Sequence, residues 1–257
     1  MKISVVTVVF NNVATIEGTI LSVAAQSYKN VEHIIIDGGS TDGTLGVIAR
    51  HRDKLAYMVS EPDCGIYDAM NKGIRAATGD VVGTLNADDI YADDSVLAQV
   101  AGALCDESID ACYADLVYVD AQDTRKIRRY WRSRPYAPGL FARGWMPAHP
   151  TFFVRRSVYE RYGLFNTQFK LQSDFDLTMR FMDVHHIRTI YVPHIWVRMR
   201  MGGASNRSLR NVLRGNWEAY QACHVNGLKV SPLFFLVKIA SRLPQFFSRP
   251  PAKHDTL

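Results

Sequence analysis

The stretch Val81-Val82-Gly83-Thr84-Leu85-Asn86-Ala87-Asp88-Asp89 joins a short apolar run to an amide and two adjacent carboxylates. The apolar run is typical of a buried strand, so the acids are expected at its carboxyl end. In an open α/β sheet, ligands bind outside the carboxyl ends of the strands. Adjacent acids there suit a hard divalent cation that carries phosphate oxygens. The local alternative is a solvated turn, or a cap for the helix predicted near Asp93.

Composition limits the class of protein. The chain has 257 residues, of which 47% are hydrophobic and 21% charged, which is typical of one large α/β domain or one domain with a tail. The net charge of +5 and the pI near 9.0 favour an anionic partner, such as a nucleotide, a lipid diphosphate or a membrane face, without requiring nucleic acid. The four cysteines have no zinc-type spacing, so we predict reduced thiols in a cytosolic protein. We expect no signal peptide and no spanning helix.

Hydrophobic periodicity predicts the order of elements. In the first half, apolar runs alternate with segments of helical period, which predicts a parallel, doubly wound sheet. The predicted strands there cover residues 3–10, 31–36, 55–59 and the run that begins at 81. After residue 105 the pattern changes to strands at 111–118, 126–131, 151–154 and 187–197, with helices at 157–162 and from 173. From residue 206 onward the pattern is helical.

Asp37 ends the second predicted strand and precedes Gly38 and Gly39. Glycine permits positive φ and the close approach of a ligand. The carboxylate is therefore a candidate acceptor for a base N–H or a ribose hydroxyl, with an Asx turn as the alternative. No GxGxxG follows the first strand and no Walker lysine motif occurs, which argues against the usual dehydrogenase and P-loop interpretations.

Several motifs together resemble the family 2 nucleotide-sugar glycosyltransferases, especially those that build bacterial surface polysaccharides. The matching segments are Ile3–Asn11, Asp37–Thr44, Ser60–Asp63, Gly65–Gly73, Gly79–Asp80 and Leu85–Asp89. The resemblance covers about the first 205 residues and is most specific in residues 1–90. It implies a single A-type glycosyltransferase domain, Rossmann-like with a mostly parallel central sheet, and an inverting mechanism. Residues 1–105 would form the nucleotide-sugar-binding half, 106–205 the acceptor half, and 206–257 a helical tail.

The resemblance also assigns roles to residues by position. A divalent metal, Mn²⁺ or Mg²⁺, would be bound by Asp88, with Asp89 as the second choice. Asp37 would contact the nucleobase of the donor. The expected nucleotide-sugar-binding residues are Thr7, Phe10, Asn11, Asp37, Asp63, Lys72, Asn86 and Ala87. A solvated helix lysine is the alternative for Lys72. Asn86 is a departure, because the metal loop of the family commonly begins with Asp and a neutral amide is a weaker cation ligand.

Asp174 is the candidate general base. It lies two residues before Asp176, so the two acids point to different helix faces about 200° apart. Asp176 precedes Arg180 by four residues, which an ordinary ion pair explains. Asp174 has no such partner, and an N-cap role is its alternative. The resemblance places the base at Asp174, since inversion needs one base on the acceptor's side of the sugar.

Three further residues, His149, Gly202 and Gly203, are expected on the acceptor side. His149 is a candidate contact for acceptor or donor phosphate, and a purely structural histidine is the alternative. Gly202 and Gly203 resemble a flexible loop near the family's active site and are a candidate lid.

The segment Leu233–Leu243 is the candidate membrane contact. Lys238, Ser241, Arg242 and Gln245 gather on one arc of about 100°, and most of the other positions are apolar. This pattern predicts an interfacial helix with Lys238 and Arg242 at anionic headgroups and with apolar residues in the lipid, namely Phe235, Leu236, Ile239 and Leu243. The alternative is a tail that packs on its own domain or on a dimer partner.

The sequence therefore predicts an inverting enzyme at the inner face of the cytoplasmic membrane. It would transfer a sugar from a nucleotide diphosphate donor to a hydroxyl of a lipid-linked saccharide, as a monomer or homodimer and without nucleic acid. A sugar-phosphate nucleotidyltransferase is one alternative, but the loop at Val9–Val13 lacks the basic residues that a triphosphate needs. A non-catalytic scaffold of a polysaccharide assembly complex is another, which Asn86 leaves open.

Overall fold

The strand β1 (Ile3–Val9) lies inside the sheet, and all seven of its residues are buried. The computed structural model describes residues 1–202, 209–231, 234–241 and 245. β1 pairs in parallel with β2 (Val31–Asp37) on one side and with β4 (Val81–Thr84) on the other, and β2 pairs in parallel with β3 (Tyr57–Ser60). A strand covered on both faces is mainly apolar, which is why five of the seven residues of β1 are Val or Ile; the buried hydroxyls of Ser4 and Thr7 contact Glu32 and His33.

Helices follow these strands and cover the faces of the sheet. They are α1 (Ile16–Ala24), α2 (Thr44–Arg50), α3 (Ile66–Ala76) and α4 (Val96–Ala103). α3 packs directly on β1, because Gly73 has no side chain: a Cβ at that position would collide with Val6. This close approach fixes the start of α3 beside the carboxyl ends of β1 and β2.

The second half of the chain extends the same sheet. Its strands are β5 (Ile90–Tyr91), β6 (Ala111–Val119), β7 (Ile127–Trp131), β8 (Phe153–Arg155) and β9 (Thr189–Arg200). The strand order is β3-β2-β1-β4-β8-β6-β9-β5, with β7 paired to β6. β8 is antiparallel to both β4 and β6 and so joins the two halves. β6 and β9 are parallel, and the predicted strands differ from these bounds mainly at their ends.

Four more helices complete the described residues: α5 (Arg156–Tyr162), α6 (Ser173–Met179), α7 (Leu209–Val225) and α8 (Phe234–Ala240). α6 continues as a π-helical turn, Arg180–Val184. Short 3-10 turns occur at Arg52–Lys54, Phe141–Arg143 and His149–Thr151. Within the described ranges, none of the helices is long and apolar enough to cross a membrane.

The orientation predicted for the tail is wrong, because Lys238 faces the protein. Its side chain is 1% exposed, its Nζ donates to Gln172 Oε1 at 2.8 Å, and it lies 4.8 Å from the centre of the Phe175 ring. Phe234, one turn earlier, is also buried. The amide oxygen and the aromatic faces compensate the ammonium for lost hydration. α8 therefore packs on its own domain, as the alternative held.

Two other polar residues of that arc also make internal contacts. Gln245 Oε1 accepts a hydrogen bond from Arg129 Nε at 2.8 Å, and Ser241 Oγ donates to the carbonyl of Lys238 at 2.8 Å. Arg242 and Leu243 lie outside the described residues. The apolar side chains Leu236 and Ile239 are 65% and 50% exposed, so the outward face of α8 is its apolar one.

Candidate active site

A cavity lies beside the carboxyl end of β4, where α3, α5 and α6 converge. It is lined by Met70, Thr84, His149, Phe152, Tyr159, Phe165, Asp174, Leu177 and Thr178. Asp174 is the one acid among these residues. The carboxylate therefore borders a mainly apolar pocket, and its role as the general base stays a prediction.

Asp174 is held by groups from three parts of the chain. Its Oδ1 accepts hydrogen bonds from Phe175 N at 2.9 Å and from the Tyr67 hydroxyl at 3.2 Å. Its Oδ2 lies 3.1 Å from Nδ1 of His149, a contact without hydrogen-bond geometry, because that buried nitrogen has no hydrogen-bond partner. Because α6 begins at Ser173, Asp174 lies inside the first helical turn and is not its N-cap. The side chain is 13% exposed, so the carboxylate remains accessible.

Burial sets the charge state of both neighbours of Asp174. It lowers the pKa of His149, against the opposing effect of the Asp174 charge, so the imidazole is neutral near pH 7. Burial raises the pKa of Tyr67 well above its usual range, and the charge of Asp174 raises it further. Tyr67 is therefore a hydrogen-bond donor at all ordinary pH values.

Asp176 belongs to the scaffold of the site. It is 2% exposed, its Oδ2 lies 3.5 Å from Arg180 Nε, and its Oδ1 accepts a hydrogen bond from Asn226 Nδ2 at 2.8 Å. Burial raises the pKa of Asp176, with Arg180 opposing the shift. The predicted ion pair is confirmed, and it separates the structural acid of this helix from Asp174.

The loop after β4 presents one acid to solvent and buries the other. Asp88 is partly exposed, whereas Asp89 is fully buried and its Oδ2 accepts a hydrogen bond from Asn86 Nδ2 at 3.1 Å. The carbonyls of Ala87 and Asp89 accept hydrogen bonds from Thr15 and Thr19 on α1. Burial raises the pKa of Asp89 well above its usual range, and the neighbouring Asp88 adds to the effect. Asp89 therefore anchors the loop, which leaves Asp88 as the candidate ligand.

The loop fits a cation that arrives with its substrate. Among the residues that the structure describes, no three His, Cys, Asp or Glu side chains converge as a ready-made metal cage. Mg²⁺ bound with a diphosphate takes only one or two carboxylates from the protein. Asp88 supplies one, and Asn86 Oδ1 is a buried oxygen without a hydrogen-bond partner in the same loop. The available donors are hard oxygens, which suits Mn²⁺ or Mg²⁺.

Asp37 holds the turn between β2 and α2. The residue is fully buried, and its Oδ2 accepts hydrogen bonds from Gly39 N, Ser40 N and Ser60 Oγ, while Oδ1 accepts one from Ser40 Oγ. The three bonds from Gly39 and Ser40 describe an Asx-type turn, and the fourth ties this turn to the end of β3. Contact of Asp37 with a nucleobase stays a prediction, and in this conformation the turn occupies both oxygens.

The surface beside this turn, which we call the exposed wall, is formed by Phe10, Gly38 and Asp63. Phe10 is 62% exposed. Asn11, at φ 46°, ties the turn in place: its N–H donates to Ser40 Oγ and its Oδ1 accepts from Thr41 N, both at 2.8 Å. Asp63 Oδ1 accepts from Gly65 N, and Oδ2 lies where a side chain on Gly38 would be.

Two residues predicted to bind the nucleotide sugar, Thr7 and Lys72, make contacts within the protein instead. Thr7 is fully buried within β1, with its hydroxyl 2.9 Å from Nε2 of His33, whose pKa burial lowers to about 3. Thr7 therefore does not reach the surface of the sheet edge. Lys72 Nζ lies 2.8 Å from Glu61 Oε1 and donates to the Pro62 carbonyl, and Glu61 raises its pKa. Lys72 thus braces the loop that carries Asp63.

On the acceptor side, His149 lies beside Asp174 and Gly202 follows β9 with a φ of 117°. Gly203 lies outside the described residues. The residue that sequence reasoning missed is Tyr67. It lies 107 positions before Asp174, so no periodicity links them, and only its place in the Gly65–Gly73 motif could have drawn notice.

The model of the family described as glycosyl transferase family 2 matches residues 4–163, which is more than half of the chain. The chain belongs to glycosyltransferase family 2. It is 43% identical over 103 residues to an uncharacterized glycosyltransferase of Mycobacterium tuberculosis, and this alignment spans 40% of the chain but only 39% of the relative. It is 29% identical over 208 residues to a PGL/p-HBAD biosynthesis glycosyltransferase of Mycobacterium bovis, covering 79% and 78% of the two chains.

Solved structures confirm the A-type glycosyltransferase fold expected for this family 2 chain. A mannosyltransferase from Pyrobaculum calidifontis in complex with GDP-Man and Mn²⁺ superposes with a TM-score of 0.67 at 21% identity, covering 94% of this chain and 69% of that one. Residues 1–349 of S. aureus TarS in complex with UDP give a TM-score of 0.66 at 18% identity, covering 97% and 72%.

Substitution of Gly38 tests the exposed wall. A Cβ at Gly38 would be 2.5 Å from Asp63 Oδ2, so Gly38→Ala should displace that carboxylate. Because the end of a side chain moves easily, we expect little loss of folding stability. We expect UDP and GDP to bind more weakly by on the order of 1–3 kcal/mol, if Asp63 bonds to the nucleotide. Calorimetry checks the affinity, with Gly46→Ala, which meets no neighbour within 4 Å, as the control. Unchanged affinity would show that Asp63 does not bond to the nucleotide.

Proposed function

We propose that this family 2 chain is an inverting glycosyltransferase of surface-polysaccharide synthesis. The observation that carries the proposal is the placement of Asp174: one accessible carboxylate in an apolar cavity, beside the end of β4. Inversion in one displacement needs one base on the acceptor's side of the sugar. A leaving diphosphate needs charge neutralisation, not a proton.

The reaction would proceed as one displacement. The acceptor hydroxyl gives its proton to Asp174 Oδ2 while its oxygen bonds to the anomeric carbon from the face opposite the diphosphate. The bond from that carbon to the diphosphate oxygen breaks, and its electron pair leaves with the nucleotide. A divalent cation, when bound at Asp88 with Asn86 beside it, would offset the charge of the diphosphate. Phe10 and Asp63 would border the nucleotide, and Gly202 the acceptor entrance.

The proposed substrates come from chemistry and from related proteins. The solved neighbours that hold UDP, UDP-GlcNAc or GDP-Man support a nucleotide diphosphate sugar as donor. The relative named for PGL/p-HBAD biosynthesis supports a biosynthetic glycosyltransferase, and the lipid-linked saccharide acceptor is proposed from the family resemblance of the sequence motifs. The two rival functions have weaker support: the loop at Val9–Val13 carries no basic residue for a triphosphate, and a scaffold would not need an accessible acid in a cavity.

Substitution of Asp174 tests the proposed base. Asp174→Asn keeps the shape of the side chain but removes the proton acceptor, so turnover should fall by roughly 10²–10⁴-fold. The affinity for the nucleotide diphosphate should barely change, because the acid lies on the acceptor side. The measurement is transfer or hydrolysis of UDP-GlcNAc and GDP-Man at saturating donor, with calorimetry of UDP and GDP. A loss of less than tenfold would eliminate Asp174 as the base.

Metal removal tests the role of Asp88 and separates enzyme from scaffold. Chelation should abolish hydrolysis of the donor, and Asp88→Ala should do so even with Mn²⁺ present, because the diphosphate loses its counter-charge. Asn86→Asp should tighten Mn²⁺ binding by adding a charged oxygen. Mn²⁺ titration of the UDP complex measures this directly. A chelator-resistant rate would exclude the metal, and no hydrolysis of any nucleotide sugar would favour the scaffold.

We also propose that the apolar outer face of α7 and α8 lies on an anionic membrane. Leu213 and Trp217 on α7 are 71% and 53% exposed, as Leu236 and Ile239 are on α8. Stacked rings connect the two helices: Trp217 lies 5.7 Å from Tyr220, and Tyr220 lies 5.6 Å from Phe235. A contiguous apolar surface of this kind typically marks a contact site.

Charge supports anionic lipid as the proposed occupant of this face. Arg210 and Arg214 are exposed on the same helix as Leu213, although Arg214 is paired with Glu218 at 2.9 Å, and the whole chain carries a net charge of +5. Each basic residue near an anionic surface contributes about 1 kcal/mol. An enzyme held there would meet a lipid-linked acceptor within the plane of the membrane, which fits the proposed inner face of the cytoplasmic membrane.

The double substitution Leu213→Ser, Leu236→Ser tests the membrane face. Removing two exposed apolar side chains should reduce binding to anionic liposomes by at least about tenfold, since each contributes up to about 1.5–3 kcal/mol when buried. Donor hydrolysis should be unchanged. Co-sedimentation measures binding, with Leu21→Ser as the control, because Leu21 is 44% exposed on α1. If the double variant co-sediments as well as the wild type, this face is not the membrane contact. If it shifts from dimer to monomer, the face binds a second copy of the chain.

A further inference from the structure

The first turns of α3 fix Tyr67 against the loop that precedes α6. Asn71 bonds twice to the backbone of that loop: its Nδ2 donates to the Phe165 carbonyl and its Oδ1 accepts from Phe165 N, both at 2.9 Å. The ring of Tyr67, one turn earlier on the same helix, stacks on the ring of Phe165 with centres 5.4 Å apart. Tyr67 is therefore packed against a residue that its own helix holds in place.

The Tyr67 hydroxyl bonds to one oxygen of the Asp174 carboxylate. Oδ1 accepts hydrogen bonds from Phe175 N at 2.9 Å and from Tyr67 at 3.2 Å. In the part of the chain that the structure describes, Oδ2 accepts no hydrogen bond, and its close neighbour His149 Nδ1 lies 3.1 Å away without hydrogen-bond geometry. Each oxygen of an ionised carboxylate has about two acceptor sites, so Oδ2 is the oxygen that keeps its sites for another proton.

We propose that Tyr67 is a positioning residue that fixes the Asp174 carboxylate and leaves Oδ2 as the proton-accepting oxygen. The inference rests on the proposed function of Asp174 as the general base. The terminal torsion of an aspartate is broad, so a carboxylate bonded only to the neighbouring Phe175 N would turn easily. A second donor on another helix opposes that rotation. Orientation matters for a base, because misplacement of a reacting group by 1 Å can cost about 100-fold in rate.

Direct contact of Tyr67 with the substrate is the alternative, and it gives different results. Tyr67 is partly exposed, so its hydroxyl could bond to a bound sugar instead of Asp174. Tyr67→Phe keeps the ring that packs on Phe165 and removes the hydroxyl alone. A positioning role then lowers kcat and depends on Asp174. A binding role raises KM and is independent of Asp174.

The first measurement needs no substrate. In the full-length protein with ¹³C-labelled aspartate carboxyl groups, the resonance of Asp174 is assigned by its absence from Asp174→Asn. A hydrogen bond to the charged form of an acid favours that form, so this resonance should titrate at higher pH in Tyr67→Phe than in the wild type. His149, the other titratable side chain that contacts the carboxylate, is present in both proteins. An unchanged titration, or one at lower pH, would overturn the proposal.

The second measurement is kinetic and uses whichever of UDP-GlcNAc and GDP-Man the wild type turns over. Tyr67→Phe should lower kcat by about 10- to 100-fold with the KM for the donor nearly unchanged. In the Asp174→Asn background the same substitution should change kcat by less than about threefold, because residues that act as a unit are not additive.

Tyr28→Phe is the matched control and should keep the wild-type kcat. It also removes a tyrosine hydroxyl that makes an internal hydrogen bond, to the Met1 carbonyl at 2.5 Å. Tyr28 lies near the start of β1, whereas Asp174 lies beside the carboxyl end of β4.

The outcomes separate the inference from the proposed function. If Tyr67→Phe slows the Asp174→Asn variant as much as it slows the wild type, or raises KM at unchanged kcat, the positioning role is overturned. If Asp174→Asn keeps the wild-type rate, the proposed base itself fails, and the ¹³C titration still shows whether Tyr67 bonds to the carboxylate. Thermal unfolding of each variant shows whether a loss of rate reflects loss of the fold.

Discussion

The parallel pairing of β2, β1 and β4 is the constraint on which the site depends. Because these strands run in one direction and are covered on both faces, their carboxyl ends meet at one edge of the sheet. Asp37, Phe10 and Asn86 each lie at or just after the end of one strand. Gly73 brings α3 against β1, and α3 in turn carries Tyr67 to Asp174. Close packing of the apolar core therefore assembles polar groups that are distant in sequence.

Three buried carboxylates at the sheet edge and on α6 make structural contacts, whereas Asp88 and Asp174 are the accessible candidates for chemistry. A buried charge is costly unless it is hydrogen-bonded or paired. Asp37 accepts three hydrogen bonds within its turn and one from Ser60 on β3, Asp176 pairs with Arg180, and Asp89 bonds to Asn86. Asp88 and Asp174 are less enclosed. A sequence motif does not distinguish the two kinds of acid, because a carboxylate that fixes a loop and one that would bind a ligand at its tip can lie side by side.

The sequence predicted the features that depend on local pattern, but it did not predict which face of a helix packs on the protein. The run at Ile3–Val9 indicated a buried strand because it is mainly Val and Ile, and Asp176 with Arg180 indicated a helical ion pair by spacing alone. The helical wheel of α8 separated a polar arc from an apolar one, but periodicity does not say which arc faces the protein. Lys238 is buried because it bonds to Gln172 and lies over the ring of Phe175, and neither residue is near in sequence. The contacts of Tyr67 and His149 with Asp174 were not predicted for the same reason: these residues are distant in sequence.

Those contacts of Lys238 connect the tail to the start of the helix that carries Asp174. Lys238 Nζ donates to the side chain of Gln172, and Leu171 N donates to Glu218 Oε2 on α7 at 2.7 Å. A side chain on Gly144 would collide with Lys238, so α8 also packs closely on the loop before His149. The two tail helices thus support both the segment that leads into α6 and the segment that leads to His149. The apolar face of these helices points outward while their polar groups support the cavity beside Asp174, so one short region supplies both the proposed membrane contact and part of the framework around the proposed base.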